Sequence, residues 1–345
     1  MSLRNTLLSF GLLWIAVITA LHGTLNLDWV KQEQRPALEV GFIPVTCHLT
    51  CPVTDFINKS LTGESFFKPR RFSGFPELKE MFLSHPEQMP ATFILAPMAM
   101  SLREQGVPIK MVYLGHRDGT AMMVHKDSSI FKIEDLKGKT IAVPSRFSNQ
   151  RLLVFKALKE HGISLDEVKL VEMPPPDMPA ALSVRAVDAV TSGEPFMAQT
   201  EMDGYGRVLY LTKDVWPNFI SCVLAVHEDA IKNRRAEVQT LVDGIAKSGK
   251  WLDASMDHRM EAGEVAATKY YNQNPELLQF VLSRPPDRVK YTNLNVVRKD
   301  LEEVATLGLE AGILNGTARF EDYADPSFVT DDSVVQAWNY EGRKP

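Results

Sequence analysis

The chain has 345 residues, 45% of them hydrophobic and 23% charged, with a formal net charge of -5 at pH 7. That is enough apolar material for substantial cores and, by length, for two lobes. The acidic balance and the lack of a long Lys/Arg block leave no electrostatic footprint for nucleic acid, although a few local donors could still hold a small anion.

Residues 1–25 read as an export signal or a membrane anchor. Arg4 precedes an apolar run from Leu7 to Leu21, and no acidic residue occurs before Asp28. The run is short for a membrane span of roughly 20 residues, which favours a secretory signal cleaved near Ala20 to Gly23. No clean A-x-A site follows, so an uncleaved tether is the alternative, and either form places the chain in the periplasm or another extracytoplasmic space.

From about residue 36 onward, short β-type runs alternate with helical periodicity. The runs are "LEVGFIPV", "ATFILAPM", "IKMVYLG", "TAMMVHK", "KTIAVPS", "VKLVEMP" and "DAVTSG". The spacing predicts helices over Pro52 to Lys59, Pro76 to Leu83, Gln150 to His161, Met178 to Val184 and Ala236 to Ser255. This alternation is the pattern of an α/β fold with mainly parallel sheets flanked by helices. No internal repeat or low-complexity linker interrupts it.

Two stretches carry candidate chemistry. "PVTCHLTCPVTDFINKS" (residues 44–60) sets Cys47, His48 and Cys51 at the junction of the first strand and helix. Cys47 and Cys51 are one helical turn apart, which leaves three readings open: a local disulfide, two free thiols lining a pocket, or a soft metal site of Cys47, His48 and Cys51. Their spacing matches no standard zinc pattern. Cys222, in "FISCVLAV", reads as a buried strand cysteine with no partner in sequence. Farther along, "PSRFSNQ" leaves one strand and opens the next helix, where unpaired amides and the helix dipole favour an anionic group.

At this point the sequence resembles the periplasmic solute-binding proteins of the nitrate, sulfonate and taurine uptake family, which also has bicarbonate- and thiamine-precursor-binding members. "VGFIPVTCH", "TFILAPMAMSLREQGVPIKMV", "DLKGKTIAVPSRFSNQRLLVFKAL" and "AVDAVTSGEPF" carry the resemblance, over about Leu38 to Asp253. "APMA" and "GEPF" are similar to the "TPMP" and "GEPW" of the nitrate and bicarbonate branch. In that branch a histidine opens the helix where Gln150 stands here, which argues against a bare inorganic anion. The resemblance implies a type II, two-lobed binding protein with its ligand cleft between the lobes. Lobe one is expected over 36–115 and 219–345, and lobe two over 116–218. The implied role is the solute-binding component of an ABC importer, a monomer that partners a permease and takes a small-molecule ligand: a sulfonate, an amine, a pyrimidine or a nitrate-like anion.

The expected ligand contacts are Thr46, Cys47, His48, Thr50 and Pro97 from lobe one, and Ser145, Ser148, Asn149, Gln150, Glu194, Phe196 and Trp216 from lobe two. Each has a plain alternative. Glu194 could brace a loop, Phe196 and Trp216 could only pack, and Arg146 beside them could be a solvated surface charge. His116 and Arg117, in "YLGHRDG", fall either at the first crossover between the lobes or, on the plainer reading, in an exposed turn. No cofactor and no resident metal are expected. The chain has no G-x-S-x-G, P-loop, H-E-x-x-H or dinucleotide fingerprint, and it lacks the "CCCFC" of the thiamine-pyrimidine synthases, so an enzyme is the weakest reading. A periplasmic sensor or a copper- or zinc-binding protein is the competing one.

Overall fold

The computed structural model describes residues 3–25, 36–331 and 335–342. The chain divides into two units, one ending at Ala37 and the other beginning at Leu38. In the first unit, Leu3–Leu25 is one helix. Its side chains from Phe10 to Leu21 are largely exposed. Among the described residues no helix is long and apolar enough to cross a membrane.

The second unit is built on two five-stranded sheets. Its strands are β1 Leu38–Phe42, β2 Phe67–Arg71, β3 Ala91–Leu95, β4 Ile109–Leu114, β5 Arg117–Asp118, β6 Thr120–His125, β7 Thr140–Val143, β8 Lys169–Glu172, β9 Ala189–Gly193, β10 Gly206–Leu211, β11 Cys222–His227 and β12 Val289–Lys290. The first sheet runs β2-β1-β3-β11-β4 and the second β10-β6-β9-β7-β8, while β12 and β5 form a separate two-stranded ribbon. The strand order in each sheet departs from chain order, so the chain enters the second sheet after β4 and returns to the first at β11. This is a two-lobed α/β fold.

Both sheets are mixed. The pairs β1–β2, β1–β3, β7–β8 and β7–β9 are parallel, whereas β11 and β6 run antiparallel to both of their neighbours. The reason is topological. Strands joined by a helical crossover must run parallel, but β6 and β11 are the first strands after the chain changes lobe, and they arrive without such a crossover.

Local sequence explains the elements. β3 is buried at every position and reads as a continuous apolar run, as expected for a central strand covered on both faces. The first helix of lobe one is Thr50–Thr62. It starts two residues before the expected Pro52, because proline is at ease in a first turn whose amides have no intrahelical partner. It ends on Gly63, whose φ of 85° suits the left-handed cap. Arg235–Ala254 packs against this helix, where Ser248 Oγ lies 2.7 Å from Thr54 Oγ1. β2 was not signalled by hydrophobic patterning. Only Phe67 of its "FKPRR" is buried, and the strand lies on a sheet edge, the position where charges and a proline are tolerated.

Candidate functional site

Three loops meet where the chain passes between the sheets. The first follows β1: a single 3-10 turn, Thr46–His48, leads directly into the helix Thr50–Thr62, and Thr46, Cys47, His48, Thr50 and Cys51 are all buried. It is held from behind by two phenols. Tyr271 donates to the Val45 carbonyl at 2.9 Å and Tyr291 to that of Thr46 at 3.1 Å. Burial pushes both phenols well above their ordinary range, so they remain donors.

The cysteines are arranged differently from the sequence reading. Cys47 Sγ lies 2.9 Å from Cys222 Sγ, the residue read as having no partner, while Cys51 is a separate buried thiol one turn on. Burial alone would raise the Cys47 thiol. The Cys222 hydrogen bond and the neighbouring His48 and His116 rings outweigh it and hold the group well below the usual thiol range. Cys222 is pushed up by burial and by Cys47 itself. The metal alternative of Cys47, His48 and Cys51 is thus corrected: the ligating atoms that come within 4.8 Å of one another belong to Cys47, His48 and Cys222. His48 fits a metal poorly. Its Nδ1 accepts the Ile43 amide at 2.9 Å, so in the neutral ring Nε2 carries the proton and has no lone pair to offer.

The second and third loops come from lobe two. Ser148 caps the helix Asn149–Glu160, accepting the Arg151 amide and donating to Ser145 O at 2.7 Å. Its hydroxyl is therefore occupied in starting the helix. Asn149 donates to the Ile220 carbonyl, and Gln150 Nε2 bonds Thr120 Oγ1 at 3.2 Å and Ser221 Oγ at 3.1 Å. Across the lobes, the Thr46 amide donates to the Glu194 carbonyl at 2.8 Å. Glu194 Oε2 accepts the Ala198 amide at 2.8 Å, and Oε1 lies 3.5 Å from Arg288 Nε. Burial raises the Glu194 carboxyl, with Arg288 opposing it.

Thr46, Cys47, Asn149, Gln150 and Glu194 are thus brought to one junction with three residues that the sequence reading left out, Thr120, Ser221 and Cys222. His116 and Arg117 are also there, buried rather than exposed. His116 Nε2 lies 3.4 Å from Thr46 Oγ1, and Arg117 is tied to Asn218 O, Asn293 O and Asp300. No local spacing marks Ser221 or Cys222, because each meets its partners across more than 70 residues of chain. Several buried polar atoms here have no protein partner: Thr50 Oγ1, His116 Nδ1, Asn149 Oδ1 and Gln150 Oε1. Gly193, between Thr120's strand and Glu194, is buried, yet a Cβ built on it would meet nothing within 4 Å.

The side chains of the remaining expected contacts make none of these bonds. Pro97 is in the first turn of Ala96–Glu104, Phe196 starts Phe196–Met202 within the core, and Trp216 packs edge-on against Phe219 at 5.4 Å. Ser145 and Arg146 line a cavity of about 290 Å³ between the lobes, with Phe147, Glu172, Phe75, Lys79 and Met98 among its walls. Lys79 and Arg146 give that opening two cations against one carboxylate.

Comparison with known proteins bears on this geometry. A family model described as the NMT1-like family matches residues 31–267. The chain is 27% identical over 256 residues to a bicarbonate transport ATP-binding protein, CmpC, of Synechocystis, covering 69% of this chain but only 38% of that protein. It is 25% identical to a putative aliphatic sulfonates-binding protein of Escherichia coli, covering 80% of this chain and 86% of the relative. Among solved structures, the ligand-binding component of an ABC-type import system from Staphylococcus aureus, with zinc bound, superposes with a TM-score of 0.74 at 24% identity, covering 84% of this chain and 97% of that one.

Proposed function

The chain belongs to the NMT1-like family, and from this and the site we propose that it is the extracytoplasmic solute-binding component of an ABC importer. It works as a monomer that traps a small polar organic solute between lobe one, residues 36–115 and 219–345, and lobe two, residues 116–218. A permease reads the closed form. Residues 1–25 serve as its export signal or tether. The relatives' printed roles in bicarbonate transport and aliphatic sulfonate binding support this reading.

The observation that carries the proposal is the set of buried side chains at the junction with hydrogen-bonding capacity left over, together with the open space at Gly193, which pairs with Thr120, itself a partner of Gln150. Buried polar atoms are normally paired, and each unpaired one costs about 1–3 kcal/mol. Asn149 Oδ1 and Gln150 Oε1 accept, while Thr50 can donate. A solute with an amino or ring N–H group suits these acceptors, and an anionic group on it suits the cations Lys79 and Arg146 of the cavity between the lobes. Sulfonates bearing an amine are therefore the favoured class, ahead of nitrate or bicarbonate. Contacts from both lobes stabilise the closed state by the difference in affinity between closed and open forms.

A thermal-shift screen of the purified chain against nitrate, bicarbonate, alkyl- and aminosulfonates, pyrimidines, zinc and copper tests this. A ligand at 100 times its Kd stabilises by about 2.7 kcal/mol. An upward shift from an aminosulfonate or pyrimidine is expected. Turnover of the compound, or stabilisation by metal alone, would sink the proposal.

Two variants locate the site. Gly193→Leu is expected to lose solute binding altogether, because its side chain would start into the open space opposite Thr120. Gln150→Ala should weaken binding by roughly 1–3 kcal/mol, the usual cost of leaving a buried partner unpaired. Titration calorimetry reads both, and native affinity in Gly193→Leu would move the ligand elsewhere.

A further inference from the structure

We propose that Cys47 and Cys222 form a native disulfide that staples the first loop of lobe one to the strand returning from lobe two, and that Cys51 remains a thiol. The pair is 175 residues apart in sequence, yet its Sγ atoms are 2.9 Å apart. Bond formation requires them to approach by only about 0.9 Å more. The backbones are already close on either side of one glycine. Gly115 N–H donates to the Cys222 carbonyl at 2.9 Å, and a Cβ on Gly115 would stand 2.2 Å from Cys47 O and 3.2 Å from Cys222 O. Cys51 has no such contact with either sulfur, and burial pushes its thiol well above the usual range, with Asp55 adding to the shift.

In the folded chain the rings of His48 and His116 lie against Cys47, and the His48 tautomer is fixed by the Ile43 amide so that Nε2 carries a proton rather than a lone pair. This is the arrangement of a stabilised thiolate rather than of a metal ligand set. The exchange partner is a low-molecular-weight or enzyme-borne disulfide, of the kind found in extracytoplasmic compartments. The Cys47 thiolate attacks one sulfur of that oxidant and expels a thiolate, leaving a mixed disulfide. Cys222 gives up its proton and attacks the Cys47 sulfur, which expels the second thiolate. Two protein thiols become one protein disulfide, and the oxidant leaves as two thiols. Both sulfurs are buried in the folded chain, so the exchange takes place before the loop has closed over them. Because the exchange precedes burial, either cysteine can make the first attack, and the steps balance in the same way from Cys47 or from Cys222.

The physiological oxidant rests on the extracytoplasmic reading above, but the pairing does not. Refolding the full chain in glutathione disulfide, quenching with acid, and alkylating under denaturing conditions counts the thiols. One alkylated cysteine per chain is expected without reductant and three with it. Cys47 and Cys51 share a tryptic peptide, since no Lys or Arg lies between Pro36 and Lys59, so Cys51→Ser assigns the bond. That variant should keep a crosslink between the Cys47 and Cys222 peptides, whereas Cys47→Ser and Cys222→Ser should each lose it. Three alkylated cysteines without reductant, a bond to Cys51, or protection of two thiols that a chelator reverses with release of one zinc or copper would each overturn the proposal. Solute binding, measured separately on the oxidised chain, stands or falls without changing this map.

Discussion

Gly115→Ala is expected to destabilise the chain by about 3 kcal/mol or more, the upper range for overpacked interiors, and to lower its urea midpoint accordingly. The residue opens the first passage between the lobes, and its amide is bonded to the Cys222 carbonyl. An added methyl group would lie 2.2 Å from the Cys47 carbonyl oxygen and 3.2 Å from that of Cys222. Neither obstacle can rotate away as a flexible side chain would, because both are backbone. Relief requires moving either the loop Thr46–His48, which Tyr271 and Tyr291 hold from behind, or the start of β11, which sits between β3 and β4. Gly193→Ala is the matched control, since its Cβ meets nothing within 4 Å; it should change stability by less than about 1 kcal/mol. Equal midpoints for the two variants would show that the junction around Gly115 yields more easily than its geometry implies.

How much of this junction was legible in the sequence depends on whether each part is local. β1, β3, β4, β6, β7 and β9 each coincide with a largely apolar run, because a strand covered on both faces must be mostly apolar, while β8 shows through Leu170 and Val171 alone at a sheet edge. The helices beginning at Thr50, Phe75 and Asn149 were legible from periodicity, and two of them from Pro52 and Pro76 in their first turns. β2 was not, since an edge strand with Pro69 and three basic residues carries no hydrophobic signature. Within the site, the loop residues Thr46, Asn149, Gln150 and Glu194 could be picked out because strand-to-helix junctions face the crevice in such sheets. The pairing of Cys47 with Cys222 could not. It depends on β11 returning between β3 and β4, a choice of strand order that no residue spacing encodes. The same holds for Arg288, which reaches Glu194 from a segment 94 positions farther along the chain.

Arg288→Met is the second large effect, and its size should depend on pH. The Glu194 side chain is fully buried and Arg288 nearly so, with Oε1 and Nε 3.5 Å apart. Removing one member of a buried pair leaves the other charge uncompensated, at a cost of about 3–5 kcal/mol. The bond to Glu201 that is lost at the same time adds little, because that carboxylate is 38% exposed. Glu194 already titrates above the ordinary carboxylate value through burial, and Arg288 is the group that restrains the rise. Without the guanidinium the folded-state pKa moves further up while the unfolded value stays fixed. Between those two values the folded chain binds the extra proton, so stability falls as pH rises through the window and levels off above the folded pKa. At pH 4 Glu194 is largely protonated in both states, and the variant should lose only the packing and hydrogen bonds of Arg288. At pH 8 it should carry the full penalty. Adding Glu194→Gln to Arg288→Met removes the titrating group and should flatten the pH dependence while leaving the packing loss in place. Denaturant midpoints for the three chains at pH 4 and 8 decide the matter: a penalty for Arg288→Met that is the same at both pH values would mean that Glu194 carries no charge in the folded protein, with or without its arginine.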